Sequence, residues 1–197
     1  MEVATGEFLA YGYEGANMAR VARAAQVSPK TVYARYASKD ALLLAVVAHL
    51  TASSRETIER ALGQAATDPA RGLTAFALVA AHQWTSEREF GLYRLVVTEA
   101  VRFPHLATLF HRSVDAFRAT VSAYLADQVA KGALVIDDVP AAVQLLAAVT
   151  TGRIREQMLL GERPPPAEVE AMVGEGVAMF LAWCGGPRAD DGKGRRP

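Results

Sequence analysis

The chain has 197 residues, 51% of them hydrophobic, and a mean hydropathy of +0.12, enough apolar material for a substantial buried core and too much for a disordered polymer. Twenty-one Lys plus Arg cancel 21 Asp plus Glu, so net charge alone points to no nucleic-acid or membrane partner. The single cysteine, Cys184, excludes an intramolecular disulfide framework and a cysteine-based zinc site, and no apolar run reaches the roughly 18 residues of a membrane span. The expectation is a soluble, cytoplasmic protein with no membrane partner.

Taken in order, the first helical pattern runs from about Glu2 to Tyr11, with Val3, Ala4, Phe8, Leu9 and Tyr11 apolar, and is expected to end at Gly12. Asn17 is a good cap for a second helix, Met18 to Ala25, whose Met18, Val21, Ala22 and Ala25 recur at three- and four-residue spacing. After Gln26 and Val27, Ser28 and Pro29 open a third helix, since a cap hydroxyl accepts an orphan amide and proline pre-sets φ for the first turn. This is the spacing of a helix-turn-helix. Val32 is its main inward-facing residue, so Lys30, Thr31, Tyr33 and Tyr36 need another role: the first turn reaches base edges, and the phenols offer donors to phosphate. The charge distribution agrees, because Gly15 to Lys39 holds five basic residues (Arg20, Arg23, Lys30, Arg35, Lys39) and no acidic one. Ser38 caps a fourth helix, with Lys39 at an N-terminus that favours a phosphate.

The fourth helix, to about Leu62, is long enough to act as a strut from the N-terminal module. Asp68-Pro69 starts a fifth, Pro69 to Thr85, and Ser86 with Glu89 fits a capping box for a sixth, Glu87 to Val101. Phe103-Pro104 breaks it, and His105 to Lys131 follows with Phe110, Val114, Phe117, Val121 and Tyr124 in one stripe. Leu134 to Ile136 reads as a packed loop. Pro140 to Leu160 and Pro166 to Trp183 complete an all-α fold of about nine helices. Both carry apolar residues over a wide arc and small residues that permit close approach, which suggests a homodimer interface across a two-fold axis; the alternative is an internal helical hairpin. The expected organisation is a DNA-binding domain at 1–48, a helical ligand-binding and dimerisation domain at 49–185, and a disordered tail at 186–197.

The stretch GYEGANMARVARAAQVSPKTVYARYASKDALLLAVV resembles the DNA-binding domain of the tetracycline-repressor (TetR) family, and RLVVTEAVRFPHLATLFHR with the helices after it is similar to the AefR-like C-terminal domain of part of that family. The resemblance implies a homodimer with a helix-turn-helix in each subunit and a small-molecule pocket in the C-terminal core that controls the DNA-binding heads. Ser28, Lys30, Thr31, Tyr33, Tyr36 and Lys39 fall where family members touch DNA, and with the helix-start residues Asn17, Met18 and Pro29 they form the candidate DNA-binding set. Gln26 stands where the family usually has glycine. Either the turn there suits glutamine, or it costs ~1 kcal/mol or more of strain. The chain also lacks the basic start of the first helix that often contacts phosphate.

Candidate walls of an effector pocket are Phe76, Trp84, Tyr93, Phe110, Phe117 and Tyr124, with Thr150, Arg153 and Gln157, and also His82, Gln83 and Glu99, as polar anchors. Core packing accounts for the aromatics equally well. His105 and His111 lie on different faces of a helix, and no zincin, nucleophile-elbow, phosphate-loop or dinucleotide motif occurs, so no enzyme, metal or cofactor is expected. The leading reading is a ligand-responsive transcriptional regulator, a repressor binding a palindromic double-stranded DNA operator and released by a small-molecule effector. A rival from another class is a helical small-molecule binding or interaction protein with an incomplete DNA-binding head.

Overall fold

The computed structural model describes residues 1–64 and 67–185, so the expected disordered tail at 186–197 lies outside the described residues. Those residues form nine helices and no strand: α1 (Glu2–Gly15), α2 (Met18–Ala24), α3 (Pro29–Arg35), α4 (Lys39–Gln64), α5 (Pro69–Thr85), α6 (Glu87–Glu99), α7 (His105–Ala130), α8 (Val139–Leu159) and α9 (Pro166–Gly185). The local chemistry sets most starts. Asn17, Ser28, Ser38, Asp68 and Asp138 each accept an orphan amide two or three residues on, and proline occupies the first turn of α3, α5 and α8.

Three helix ends share one geometry. After α2, α7 and α8 the chain passes through one left-handed residue, and paired amides return to the last-turn carbonyls: Gln26 N to Arg23 O and Val27 N to Ala22 O, Gly132 N to Val129 O and Ala133 N to Gln128 O, Gly161 N to Met158 O and Glu162 N to Gln157 O. Two of these residues are glycine, at φ 71° and 83°, and the third is Gln26 at φ 57°.

One sequence expectation about elements is met and another is corrected. The regular helix from Glu2 ends at Gly12 as expected (φ 68°, ψ −178°), and a further helical turn, Tyr13 to Gly15, follows across the kink within the bounds of α1. At α6, Ser86 Oγ accepts no cap amide; it donates to the Glu89 carboxylate, so the reciprocal capping box is absent.

The apolar side chains pack in two clusters. One joins Ala4, Phe8, Val21, Ala22, Val32 and the first half of α4 to Leu92, Leu95 and Val96 of α6 and Leu106 of α7. The other is built around α5, whose Leu73, Phe76, Ala77 and Ala81 are buried among α4, α7, α8 and α9; Leu134 and Ile136 of the packed loop point into it. Helices α8 and α9 pack on each other as an internal hairpin, with a closest approach at Gly176, where a Cβ would lie 2.4 Å from Val149 O. Their outward surface still carries Leu159, Leu160, Met179 and Trp183, at 40%, 71%, 57% and 52% exposure.

Candidate nucleic-acid interface

Everything that faces outward on the helix-turn-helix follows from what it must bury. In α3 only Val32 is buried, at 8% exposure, so the helix is held by one apolar contact, its cap and the α2–α3 turn. Ser28 Oγ accepts Thr31 N at 3.1 Å and lies 2.8 Å from Thr31 Oγ1. Lys30, Thr31 and Tyr33 are exposed, Tyr33 at 53%. Asn17 Oδ1 accepts the amides of Ala19 at 2.8 Å and Arg20 at 3.1 Å, and its backbone is engaged as well, the N–H by Glu7 Oε1 and the C=O by Val21 N.

The remaining expected members sit differently. Met18 is 7% exposed and belongs to the head's apolar cluster, so the expectation of a DNA contact through its side chain is corrected: the α2 periodicity that made it apolar also turned it inward. Tyr36 is half-buried against that cluster, and its hydroxyl accepts from Arg35 Nε at 3.1 Å and donates to Met1 Sδ at 3.4 Å. Lys39 turns back on the head: Nζ donates to Glu14 O at 2.8 Å and Ala16 O at 3.4 Å, and lies 4.8 Å from the centre of the Tyr13 ring.

A buried acid is the residue that sequence reasoning missed. Glu7, at 7% exposure, accepts Asn17 N at 2.8 Å and Arg20 Nε at 2.8 Å, while Arg20 also donates to Gly15 O at 2.7 Å and stacks 3.9 Å over Tyr11. The Arg20 guanidinium, helped by the Asn17 amide and opposed by burial, holds the Glu7 carboxyl below the usual carboxylate range. Glu7 lies in phase with Ala4, Phe8 and Tyr11, so a charge on the apolar stripe was the available signal. One of the five basic residues is thereby neutralised, and Arg23, Lys30 and Arg35 carry the outward positive charge of the helix-turn-helix.

The residues expected around an effector separate into four places. Trp84, Tyr93 and Phe110 form a chain of rings, with centroids 4.8 and 5.5 Å apart, where the two apolar clusters meet; Arg155, unanticipated, lies 5.5 Å over Trp84. Phe76 and Phe117 pair at 5.4 Å inside the α5 cluster, and the Thr150 hydroxyl is spent on Leu146 O. Arg153 and Gln157 reach Glu168 of α9 at 3.5 and 3.4 Å. A cavity of about 240 Å³ opens between α4 and α7, lined by Glu59, Leu62, Gly63, Thr120, Tyr124 and Asp127; Tyr124 alone of the expected set borders it. Burial, with Asp68 and Asp127, pushes the Tyr124 phenol up. Among the described residues no three potential ligands gather to hold a metal, and no helix is long and apolar enough to cross a membrane.

Comparison with known proteins places these features in a wider group. Residues 1–46 match the model for bacterial regulatory proteins of the tetR family, and residues 71–185 match that of the AefR-like transcriptional repressor C-terminal domain. No curated protein matches the chain. Among solved structures, one described as a TetR-family transcriptional regulator from Mesorhizobium loti MAFF303099 superposes with a TM-score of 0.79 at 23% identity, over 92% of this chain and 93% of that one. The flavonoid-responsive regulator FrrA gives 0.73 at 27% identity, covering 95% of each chain. The Bacillus subtilis regulator FadR, solved with stearoyl-CoA, gives 0.73 at 12% identity, over 92% of this chain and 95% of that one.

Proposed function

The chain belongs to the tetR family of bacterial regulatory proteins, with an AefR-like C-terminal domain, and from that premise we propose that it binds a palindromic operator as a homodimer and is released from it by a small-molecule effector. Its general activity is that of a ligand-responsive, DNA-binding transcriptional regulator. The observation that supports the DNA reading is α3, buried only at Val32 and capped by Ser28, with Lys30, Thr31 and Tyr33 directed outward. In this reading Lys30 and Thr31 address base edges. Tyr33, with Ser28 at the start of α3, addresses phosphates. Residues up to 48 carry the DNA contact, and 49–185 carry the effector and the second subunit.

The exposed small and apolar face of α8 and α9 is the surface we assign to the partner subunit. Two such heads read successive major grooves when their recognition helices stand about 34–36 Å apart. An effector that favours another spacing by ~1–3 kcal/mol changes operator affinity ~5- to 150-fold. For that effector we favour the aromatic seam of Trp84, Tyr93 and Phe110, and a compound that offers the rings an aromatic system or an acyl chain, as the flavonoid named for FrrA and the stearoyl group of the stearoyl-CoA solved with FadR would. The action is repression, in the cytoplasm.

In vitro selection from a random-duplex library with the full chain tests the proposal. The expected result is enrichment of a two-fold-symmetric site that outcompetes random duplex at moderate salt. Failure to enrich any sequence overturns the specific-regulator reading.

A further inference from the structure

The contact between head and core contains a hydrogen-bonded cluster that neither DNA binding nor the effector seam uses. Gly12, by its positive φ, redirects α1 so that Tyr13 points at the start of α4 and the α6–α7 turn. Tyr13 is 8% exposed, and its hydroxyl donates to Asp40 Oδ1. The same oxygen lies 3.2 Å from His105 Nε2, which is itself 3.4 Å from Asp40 Oδ1. Three elements therefore meet at one imidazole: α1 through Tyr13, α4 through Asp40 and α7 through His105. The ring of Tyr13 is held edge-on to His105 at 5.7 Å and against Phe103 at 5.0 Å.

The charged groups around the imidazole can be counted element by element. From α1 come the Tyr13 phenol and Glu14, the latter paired with Arg102 of the α6–α7 turn. From α4 come Asp40 and Lys39, whose ammonium is directed at the Glu14 and Ala16 carbonyls. From α6 comes Glu99, its carboxylate 3.0 Å from where a Cβ on Gly12 would stand. Burial and Asp40 push the Tyr13 phenol up to about 12, so it remains a donor throughout the working range of the protein. Histidine is the side chain whose charge ordinarily changes between pH 5 and 8.

We propose that Tyr13, Asp40 and His105 are positioning residues that fix the angle of the DNA-binding head on the core, and that protonation of His105 tightens this joint. With Tyr13 donating to Asp40, His105 Nε2–H is the donor shared between the Tyr13 oxygen and Asp40. Adding a proton at Nδ1 leaves that donor in place and places a positive charge beside Asp40, turning a neutral contact into an ion pair. Side chains of His105 and Asp40 are 46% and 40% exposed, so the gain is that of a partly screened pair. A head held at one angle loses less orientational freedom when both half-sites are engaged, so acidification tightens DNA binding through the joint.

The test has one arm that needs no DNA and one that rests on the regulator reading above. Amide hydrogen exchange of the full chain, corrected for intrinsic rates, is compared at pH 5.5 and 8.0. Protection of residues 12–16 and 38–42 is expected to be about two- to fivefold higher at the acid pH. In His105→Gln and Asp40→Asn that ratio is expected to fall to near one, while α5 and α9 amides, the control for folding, are unchanged; Tyr13→Phe, which leaves the His105–Asp40 pair in place, is expected to lower protection of both segments at both pH values and keep the ratio. No acid-dependent gain in the wild type, or an equal gain in His105→Gln, overturns the proposal. On a duplex enriched by selection, the pH 5.5 to 8.0 affinity ratio is expected to drop about two- to fivefold in His105→Gln with an unchanged salt slope. A slope that is steeper for the wild type only at acid pH would make His105 a phosphate ligand and overturn the positioning role. If selection enriches nothing, the exchange arm still decides the joint.

Discussion

At Gln26 the fold asks for glycine geometry and the sequence supplies glutamine. The three helix ends closed by the same pair of returning amides make the comparison internal, since Gly132 and Gly161 occupy the equivalent left-handed positions after α7 and α8. A side chain in that region costs about 1–2 kcal/mol, and the extra freedom glycine has in the unfolded chain gives back roughly half of it. Gln26→Gly is therefore expected to raise stability by about 0.5–1 kcal/mol, read as a higher urea midpoint at unchanged slope. A lower midpoint would mean that the glutamine has a stabilising contact. Glu7 works the other way: its buried carboxylate ties α1 to α2 through Asn17 and Arg20. A carboxyl held low in the folded state adds stability above its unfolded value of ~4.3, and that stability is lost as the pH falls through the folded value. Glu7→Gln is expected to cost about 1–2 kcal/mol at pH 7 and progressively less below pH ~4, in paired urea titrations. A loss independent of pH would assign Glu7 a packing role instead. On the outer face, Lys30→Ala is expected to relax preference at one position of each half-site by ~1–3 kcal/mol. Equal losses on all site variants would make Lys30 a phosphate ligand.

Helix elements were legible where capping chemistry and period agreed, and less so where a contact distant in sequence decided. Pro69–Thr85 has the bounds its cap and proline predict, because both signals are local. Gly12 is legible as an end, since a left-handed glycine usually is one; the extra turn beyond it, in which Tyr13 docks on Phe103, is not. Met18 and Lys39 show the same limit within the site, since periodicity assigns a face but not what lies opposite it. In Lys39 the partners are carbonyls at the end of α1, more than twenty residues earlier in the chain. The small residues of α9 were legible as sites of close approach, and the structure specifies the partner at Gly176, which is backbone of α8. Backbone cannot step aside. Gly176→Ala gains helix propensity of about 1 kcal/mol but must separate α8 from α9, so a net loss of about 2 kcal/mol is expected in thermal or urea unfolding. Gly91 is the control, because its added Cβ would meet the tip of Leu9 at 2.7 Å, and a side-chain tip can rotate away. Gly91→Ala is expected to be within about 0.5 kcal/mol of wild type.

Across the whole molecule, the apolar packing groups α6 and the start of α7 with the head, and the second half of α4 with α5, α8 and α9. The head is thus wider than the helix-turn-helix, and α4 and α7 are the elements that run through both clusters. Trp84 packs with the α5 cluster and Phe110 with the head cluster, so the ring chain through Tyr93 spans the seam between them. A ligand among those rings would act on the division across which the head is carried. In the proposed homodimer, transmission to DNA further requires that the two cores be tied to each other, and the exposed apolar residues of α8 and α9 are the surface proposed for it. Their inward faces are filled by Leu146, Ile154, Val173 and Phe180, at 1% exposure or less, so Met179 and Trp183 are not needed for the hairpin itself. Paired Met179→Glu and Trp183→Glu substitutions are therefore expected to leave the helical signal intact and to shift sedimentation from dimer to monomer. Operator affinity should then fall by at least about tenfold, because each head loses the effective concentration its partner supplied. A variant that still sediments as a dimer would place the subunit contact elsewhere, with the end of α6 and the turn after it, where Val97 and Val101 are exposed, as the next surface to test.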